Sequence, residues 1–171
     1  RNIVSEIPGT TRDSIHTLYN KFDKQFILID IAGLRKKSIV HDVIEFYSVI
    51  RAVKAIEESD VCFMLVDAQD GIKSQDQSII ALVERRNKGL VILLNKWDLI
   101  EKQTNTAKFF EDEIKAKIAP FNDVPVITMS ALNKTRIMKA VDEAFIVYEN
   151  RKRKISTSEL NKVMLAEIEA Y

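Results

Sequence analysis

The sequence predicts an α/β fold built around a doubly wound, mostly parallel β-sheet. Apolar strand-like runs alternate with segments whose apolar residues recur at helical spacing. The run at residues 61–68 (VCFMLVDA) is continuously apolar, as expected for a parallel strand that is buried on both faces. Polar residues follow several of the runs directly, at the end of the strand where ligands of such sheets bind.

The predicted elements follow one another in a regular order. Residues 13–22 and 24–30 are predicted as two strands that form a hairpin with a short turn at residues 20–23. Residues 42–58 are predicted as a helix because their apolar residues form a stripe at helical spacing. The later elements are a strand at 61–68, a helix at 75–86, a strand at 89–96, a helix at 107–118, a strand at 124–130 and a helix at 137–150.

The composition is that of an ordinary globular domain. The chain has 171 residues, of which 46% are hydrophobic and 30% charged, and its net charge is +1. This length predicts one domain, or one domain with the edge of another, and the balanced charge argues against a protein whose whole surface binds nucleic acid. The single cysteine, Cys62, lies in an apolar run, so we expect a core residue and a cytoplasmic protein. No apolar stretch approaches the ~20 residues that span a bilayer, so no membrane partner is expected.

Residues 95–98 (NKWD) form a motif that can select guanine. The Asp98 carboxylate can accept both the N1–H and the exocyclic amine of guanine, a donor pair that adenine lacks. Lys96 can lay its apolar stem along the base, and Asn95 can tie the loop to neighbouring backbone. Trp97 is predicted to pack in the core rather than stack on a base. The alternative for these residues is an ordinary polar turn after a strand.

Three further segments could contribute to the same site. Residues 130–132 (SAL) follow a predicted strand, and the Ala131 N–H could reach the guanine O6. In residues 30–33 (DIAG), Asp30 could hold a metal-bound water and the Gly33 N–H could bond a γ-phosphate oxygen. In residues 8–13 (PGTTRD), a threonine hydroxyl could ligate Mg²⁺. Taken singly, each segment is also explained as a common turn or strand exit.

The order of these four motifs resembles the Era/TrmE/Der branch of translation-factor-type GTPases. Residues 30–37 (DIAGLRKK) and 95–99 (NKWDL) are most similar to the second GTP-binding domain of the Der (EngA) family of bacterial double GTPases. Residues 155–163 (ISTSELNKV) are similar to the start of the KH-like domain that follows in that family. The resemblance implies a P-loop NTPase G domain with one antiparallel edge strand at residues 1–154, and the start of a KH-like domain at residues 155–171.

The resemblance also implies a function and a set of site residues. The function is GTP binding and hydrolysis in large-subunit ribosome assembly, with GTP or GDP, Mg²⁺ and a K⁺ as ligands. Thr11, with Thr10 as its alternative, is implied as the switch threonine; Asp30 and Gly33 are the other catalytic residues, and Thr11 and Asp30 hold the metal. The implied nucleotide-binding residues are Thr10, Thr11, Asp30, Ile31, Ala32, Gly33, Asn95, Lys96, Asp98, Leu99, Ser130, Ala131 and Leu132. The implied partners are the large ribosomal subunit with its RNA, and the first G domain and KH-like domain of the same chain.

The sequence departs from the family pattern at the phosphate loop. No G-x-x-x-x-G-K-[S/T] motif occurs among its four glycines. In the family this loop, the strand before it and the helix after it precede a segment like residues 1–8, so we expect a part of a longer protein that lacks these elements. The absent strand would lie between residues 24–30 and 61–68, so we expect this chain alone to expose apolar edges, to aggregate and to be inactive. Leu34 stands where many small GTPases have a water-orienting glutamine.

Two basic runs and a second class of function stay open. Residues 151–154 (RKRK) and 35–37 (RKK) could contact RNA phosphates or remain solvated. His16 and His41 have no partners at metal-ligand spacing. The alternative to a GTPase is a non-enzymatic RNA- or protein-docking module with a G-domain-like shape, which the missing phosphate loop favours for this chain.

Overall fold

The structure is a computed structural model that describes residues 15–21, 23–30, 50 and 52–169. Its described strands form two separate sheets, an antiparallel pair in the order β1-β2 and a parallel sheet in the order β3-β4-β5. The strands are β1 (Ile15–Lys21), β2 (Lys24–Asp30), β3 (Val61–Asp67), β4 (Gly89–Asn95) and β5 (Val126–Thr128). The predicted hairpin and the predicted parallel sheet are both confirmed, and the last strand is shorter than predicted.

Helices cover both faces of the parallel sheet, as predicted. They are α1 (52–58), α2 (Ser74–Arg85), α3 (Thr106–Ile118) and α4 (Ile137–Lys152), and a fifth helix, α5 (Thr157–Glu169), follows them along the chain. Side chains of β4 point alternately to the two faces. Ile92 and Leu94 pack in one cluster with residues of α1, α2 and α3, whereas Val91 and Leu93 pack in a second cluster with Ala140 of α4. The central strand β4 therefore carries the core on both sides.

Helix α4 packs very closely against the amino ends of β3 and β4. A Cβ atom at Gly89 would lie 2.6 Å from Cγ1 of Val147 and 3.0 Å from Cγ2 of Val61, so only glycine fits there without a shift. Arg151 donates hydrogen bonds to the backbone carbonyls of Asp60 and Asn87, which precede these two strands. This arginine of the predicted basic run is thus part of the fold.

A gap separates the two sheets. Within the described residues β2 and β3 do not pair, and a cavity of about 1270 Å³ lies between them, lined mainly by apolar side chains of both strands and of α4. The hairpin reaches the rest of the fold through α4, where Phe26 meets the Phe145 ring edge-on at 6.0 Å and Lys24 pairs with Asp142. The gap lies where the sequence predicted a strand that is not among the described residues.

Helix α5 presents apolar side chains to solvent. Leu160, Val163, Met164, Leu165 and Ile168 are each at least 50% exposed. The domain boundary predicted after residue 154 lies just before this helix and stays a prediction. None of the described helices combines the length and the apolar composition needed to cross a membrane.

Candidate functional site

The turn after β4 is shaped by a left-handed lysine. Lys96 has φ 61° and ψ 30°, and a single 3₁₀ turn, Trp97–Leu99, follows it. A non-glycine residue in this conformation costs roughly 1–2 kcal/mol. Trp97 holds this turn against the core. Its backbone N–H donates to the Met129 carbonyl at 3.1 Å, and its buried indole packs edge-on against Phe110, with 5.2 Å between the ring centroids. The packing role predicted for Trp97 is confirmed, and the next residue, Asp98, is held at the carboxyl edge of the sheet.

Asp98 carries a buried oxygen that the described fold does not satisfy. Its Oδ1 atom is shielded from solvent and has no hydrogen-bond partner among the described residues. An unpaired buried acceptor costs about 1–3 kcal/mol, and more when it belongs to a charged group. A ligand with N–H donors would satisfy the oxygen.

Asn95 ties the ends of three strands together. Its backbone carbonyl accepts the Ala68 N–H after β3 at 2.9 Å, and its side-chain Oδ1 accepts the Ala131 N–H after β5 at 2.9 Å. The link from Asn95 to neighbouring backbone that the sequence suggested is therefore present. It also engages the Ala131 N–H that the sequence assigned to the guanine O6, so a base that used this donor would have to share or replace the hydrogen bond from Ala131 to Asn95.

Ser130 shapes the loop that follows β5. The residue is 2% exposed, its N–H donates to Oγ1 of Thr135 at 3.2 Å, and its Oγ accepts the Asn133 N–H at 3.1 Å. Two side chains at this edge are left in solvent, Leu132 at 83% exposure and Leu99 at 55%. The backbone of the loop is therefore held by hydrogen bonds to Ser130, and Leu132 presents apolar surface to solvent.

The sequence interpretation missed Asp67. This residue ends β3, is the register partner of Asn95, and its Oδ2 lies 2.6 Å from the Lys96 Nζ. Its side chain is only 13% exposed, whereas that of Lys96 is 54% exposed. A carboxylate at the end of a buried parallel strand, beside the strand that carries the lysine motif, is the signal that could have identified it.

The phosphate and metal side of the predicted site is mostly outside the described residues. Asp30 ends β2, is exposed to solvent and lines the cavity between the sheets. Thr10, Thr11, Ile31, Ala32 and Gly33 lie outside the described residues, so their assigned roles stay predictions. In the described part of the chain no group of three or more metal-binding side chains occurs. Mg²⁺ is usually held by one or two carboxylates with water and phosphate oxygens, so a single Asp30 carboxylate fits such an ion.

A family model described as "50S ribosome-binding GTPase" matches residues 1–96. The chain belongs to this family. Proteins named GTPase Der from Bacteroides fragilis and Flavobacterium johnsoniae are 54% and 50% identical to it, in alignments that cover 100% of this chain. The same alignments cover 39% of each relative, so the chain spans well under half the length of the proteins it matches. The resemblance to the Der family that the motifs indicated is confirmed.

Solved structures support the predicted P-loop GTPase fold. A structure of Era in complex with MgGDPNP and a segment of 16S ribosomal RNA aligns with a TM-score of 0.72 and 27% identity, and covers 85% of this chain and 47% of Era. A probable GTP-binding protein, EngB, aligns with a TM-score of 0.65 and 17% identity, covering 85% of this chain and 87% of EngB. The fold class assigned from the sequence, a P-loop G domain with a mostly parallel sheet and one antiparallel edge strand, is therefore confirmed, and the antiparallel strand pairs with β2 in the separate hairpin sheet.

Proposed function

We propose that this chain supplies the base-recognising part of a guanine-nucleotide site in a longer GTP-hydrolysing protein. The observation that carries the proposal is the unpaired, shielded Oδ1 of Asp98 at the carboxyl edge of the sheet. Guanine offers two adjacent N–H donors to such a carboxylate. Adenine would leave the same buried oxygen without a donor, and a site built for hydrogen bonds rejects a ligand that lacks them.

The other carboxyl-edge residues fit the same ligand. The stem of Lys96 and the exposed side chain of Leu132 offer apolar surface for a planar base, Leu99 borders the turn, and Ser130 and Ala131 shape the loop after β5. Asn95 keeps the two loops at a fixed separation through its bond from the Ala131 N–H. This arrangement allows recognition of the base before any phosphate contact is made.

The phosphate half of the proposed site rests on the family resemblance. Asp30 and Thr11, with Thr10 as the alternative, would hold Mg²⁺, and the backbone of Ile31, Ala32 and Gly33 would line the γ-phosphate. When bound, Mg²⁺ supplies charge neutralisation at the phosphates, and a K⁺ is proposed as a second cation. The Asp30 carboxylate is exposed at the end of β2, open to a ligand that enters from the carboxyl edge.

The relatives point to a role of the full-length protein on the ribosome. The matching family is one of 50S ribosome-binding GTPases, and Era is bound to a segment of 16S ribosomal RNA in its solved complex. We propose that the full-length protein acts in assembly of the large ribosomal subunit, with a first G domain and a KH-like domain in the same chain. A docking module without catalysis is the second candidate for this chain alone, favoured by the open gap between the sheets on the phosphate side.

The proposal is tested by exchanging the base preference in the full-length protein. Xanthine carries an oxygen where guanine has its amine, so Asp98→Asn is expected to weaken GDP binding at this site by on the order of 100-fold and to create one xanthine-nucleotide site. Equilibrium titration with fluorescent GDP and XDP measures both changes. Asp123→Asn, the same chemical change at an exposed loop residue before β5, is the matched control. Unchanged GDP affinity together with no XDP binding in Asp98→Asn would remove the guanine assignment.

A further inference from the structure

We propose that Asp67 is a positioning residue of the guanine site, which holds the Lys96 ammonium so that the lysine stem is ready to cover the base. The inference rests on the proposed function and adds a residue that the motifs did not contain. Asp67 itself is not proposed to contact the nucleotide. It acts through Lys96.

The Asp67 carboxylate is held firmly in place. Its Oδ1 accepts the Gln69 N–H at 3.0 Å, and its backbone carbonyl accepts the N–H groups of Asp70 and Gly71 at 3.2 and 2.9 Å. The remaining oxygen, Oδ2, lies 2.6 Å from the Lys96 Nζ. The side chain of Asp67 is mostly buried, so its carboxylate offers a fixed partner for the ammonium at the end of the long, half-exposed Lys96 side chain.

The direction of the ion pair places the lysine stem along the carboxyl edge. Asp67 and Asn95 are register partners in the parallel pair of β3 and β4, so Lys96 leaves its strand immediately beside the end of β3. Its ammonium reaches back to β3 while its backbone begins the turn that carries Asp98. The methylene groups therefore span the edge between the two strands, next to the turn that presents the unpaired Asp98 oxygen.

The pair is expected to contribute to binding more than to folding. An ion pair with a half-exposed lysine adds little to stability, because water competes for both charges. A free lysine side chain, in contrast, has large rotamer freedom that a bound base would have to remove. Asp67 removes part of that freedom before the ligand arrives, which lowers the entropy cost of binding.

The test is a double-mutant cycle in the full-length Asp98→Asn protein, where XDP reports this site alone. Asp67→Asn keeps an oxygen for the Gln69 N–H, removes the charge and replaces the oxygen facing Lys96 with an NH2 group, and Lys96→Met keeps an apolar stem and removes the ammonium. Asp70→Asn is the matched control, because its carboxylate pairs with Lys73 at 2.8 Å in the same loop, away from Lys96. The measurement is the Kd for fluorescent XDP, with a thermal unfolding midpoint for each variant.

Asp67→Asn is expected to weaken XDP binding about two- to five-fold, the effect of losing an ion pair with one exposed partner. The loss should disappear in the Lys96→Met background and should not occur in Asp70→Asn. An equal loss with and without Lys96 would overturn the inference, because Asp67 would then act through the Gln69 turn. Unchanged or tighter binding in Asp67→Asn would overturn it as well.

Two safeguards keep the outcomes separate. If Asp67→Asn shifts the unfolding midpoint, Asp67→Ser, which also keeps an acceptor without charge, must give the same affinity and the same dependence on Lys96, or the inference fails. If Asp98→Asn binds no XDP, the guanine assignment itself has failed and the role of Asp67 falls with it. If the Asp98→Asn protein binds XDP and Asp67→Asn leaves that affinity unchanged, only the positioning role of Asp67 is overturned.

Discussion

The parallel sheet β3-β4-β5 and the hairpin β1-β2 differ in how completely they are built. Six of the seven residues of β4 are buried, and the loops at its carboxyl edge are linked by side-chain hydrogen bonds. The hairpin also carries apolar side chains, yet Leu18 and Ile27 are 61% and 60% exposed. The residues proposed to recognise the base are therefore supported by a fully packed core, whereas the strand that ends at Asp30 borders an open gap.

This difference suggests a division of the proposed nucleotide site into a base-recognising part and a phosphate-binding part. Recognition of a base needs only the ends of neighbouring strands that already pair with one another. Phosphate binding also needs a cradle of backbone N–H groups, which the sequence does not encode in a G-x-x-x-x-G-K-[S/T] loop. The following predictions test this division, beginning with the largest expected effect.

The isolated 171-residue chain is expected to hydrolyse GTP at least on the order of a thousand-fold more slowly than the full-length protein, because the phosphate-binding electrostatics are usually the largest catalytic contribution. Release of inorganic phosphate from purified protein is the measurement. The Asp98→Asn chain is the control for contaminating phosphatase. Turnover at the full-length rate that is abolished in Asp98→Asn would show that the division is wrong.

Truncating one leucine in the parallel sheet and one in the hairpin should lower the free energy of unfolding by different amounts. Leu94 is 0% exposed, so Leu94→Ala should lower the free energy of unfolding by about 2–5 kcal/mol. Leu28 is 47% exposed beside the cavity, so Leu28→Ala in the isolated chain should lower it by less than about 1 kcal/mol.

Urea unfolding of both variants, in the isolated chain and in the full-length protein, measures these differences. The cost of Leu28→Ala should rise in the full-length protein if further chain fills the gap. An equal loss of unfolding free energy for the two leucines in the isolated chain would show that the hairpin is packed as completely as the parallel sheet.

Cys62 offers a smaller effect at the border between the two regions. It lines the cavity, and burial raises the pKa of its thiol above the ordinary value of 9.0, although a contact to Ser59 at 3.3 Å and nearby Lys88 and Arg151 oppose the shift. Because the folded pKa is the higher one, the thiol favours the folded state at low pH, and this stability is lost as pH rises through the folded pKa.

Alkylation of Cys62 in the native chain at pH 8 should be slower than in the urea-unfolded chain, since only the thiolate reacts and burial raises the pKa of the thiol. The rate should continue to rise with pH beyond the range where the unfolded thiol has levelled off. Mass spectrometry of the iodoacetamide adduct provides the rate. A native rate equal to the unfolded rate at every pH would place Cys62 outside the packed region.

Periodicity and strand-end chemistry predicted most of the described fold. The apolar run at residues 89–96 was found as a buried strand ending one residue earlier, because the left-handed Lys96 breaks the pairing. That conformation could not be predicted, since lysine does not favour it and it depends on Trp97 packing beneath the turn. Asp67 was missed because its role arises from the register between β3 and β4, which a single sequence does not specify.

Helix α4 runs from the carboxyl edge of the parallel sheet to its amino edge and is bonded to loops at both edges. The helix begins after Arg136, which bonds Thr128 near the carboxyl end of β5, and closes with Arg151 bound to the loops at the amino ends of β3 and β4. The polypeptide therefore leaves the sheet at the opposite margin from Asp98, separated from it by the length of β4, about 23 Å for its 7 residues at roughly 3.3 Å each. Helix α5 follows α4 at this opposite margin, so α4 is a described element that connects the loops near Asp98 with the start of α5.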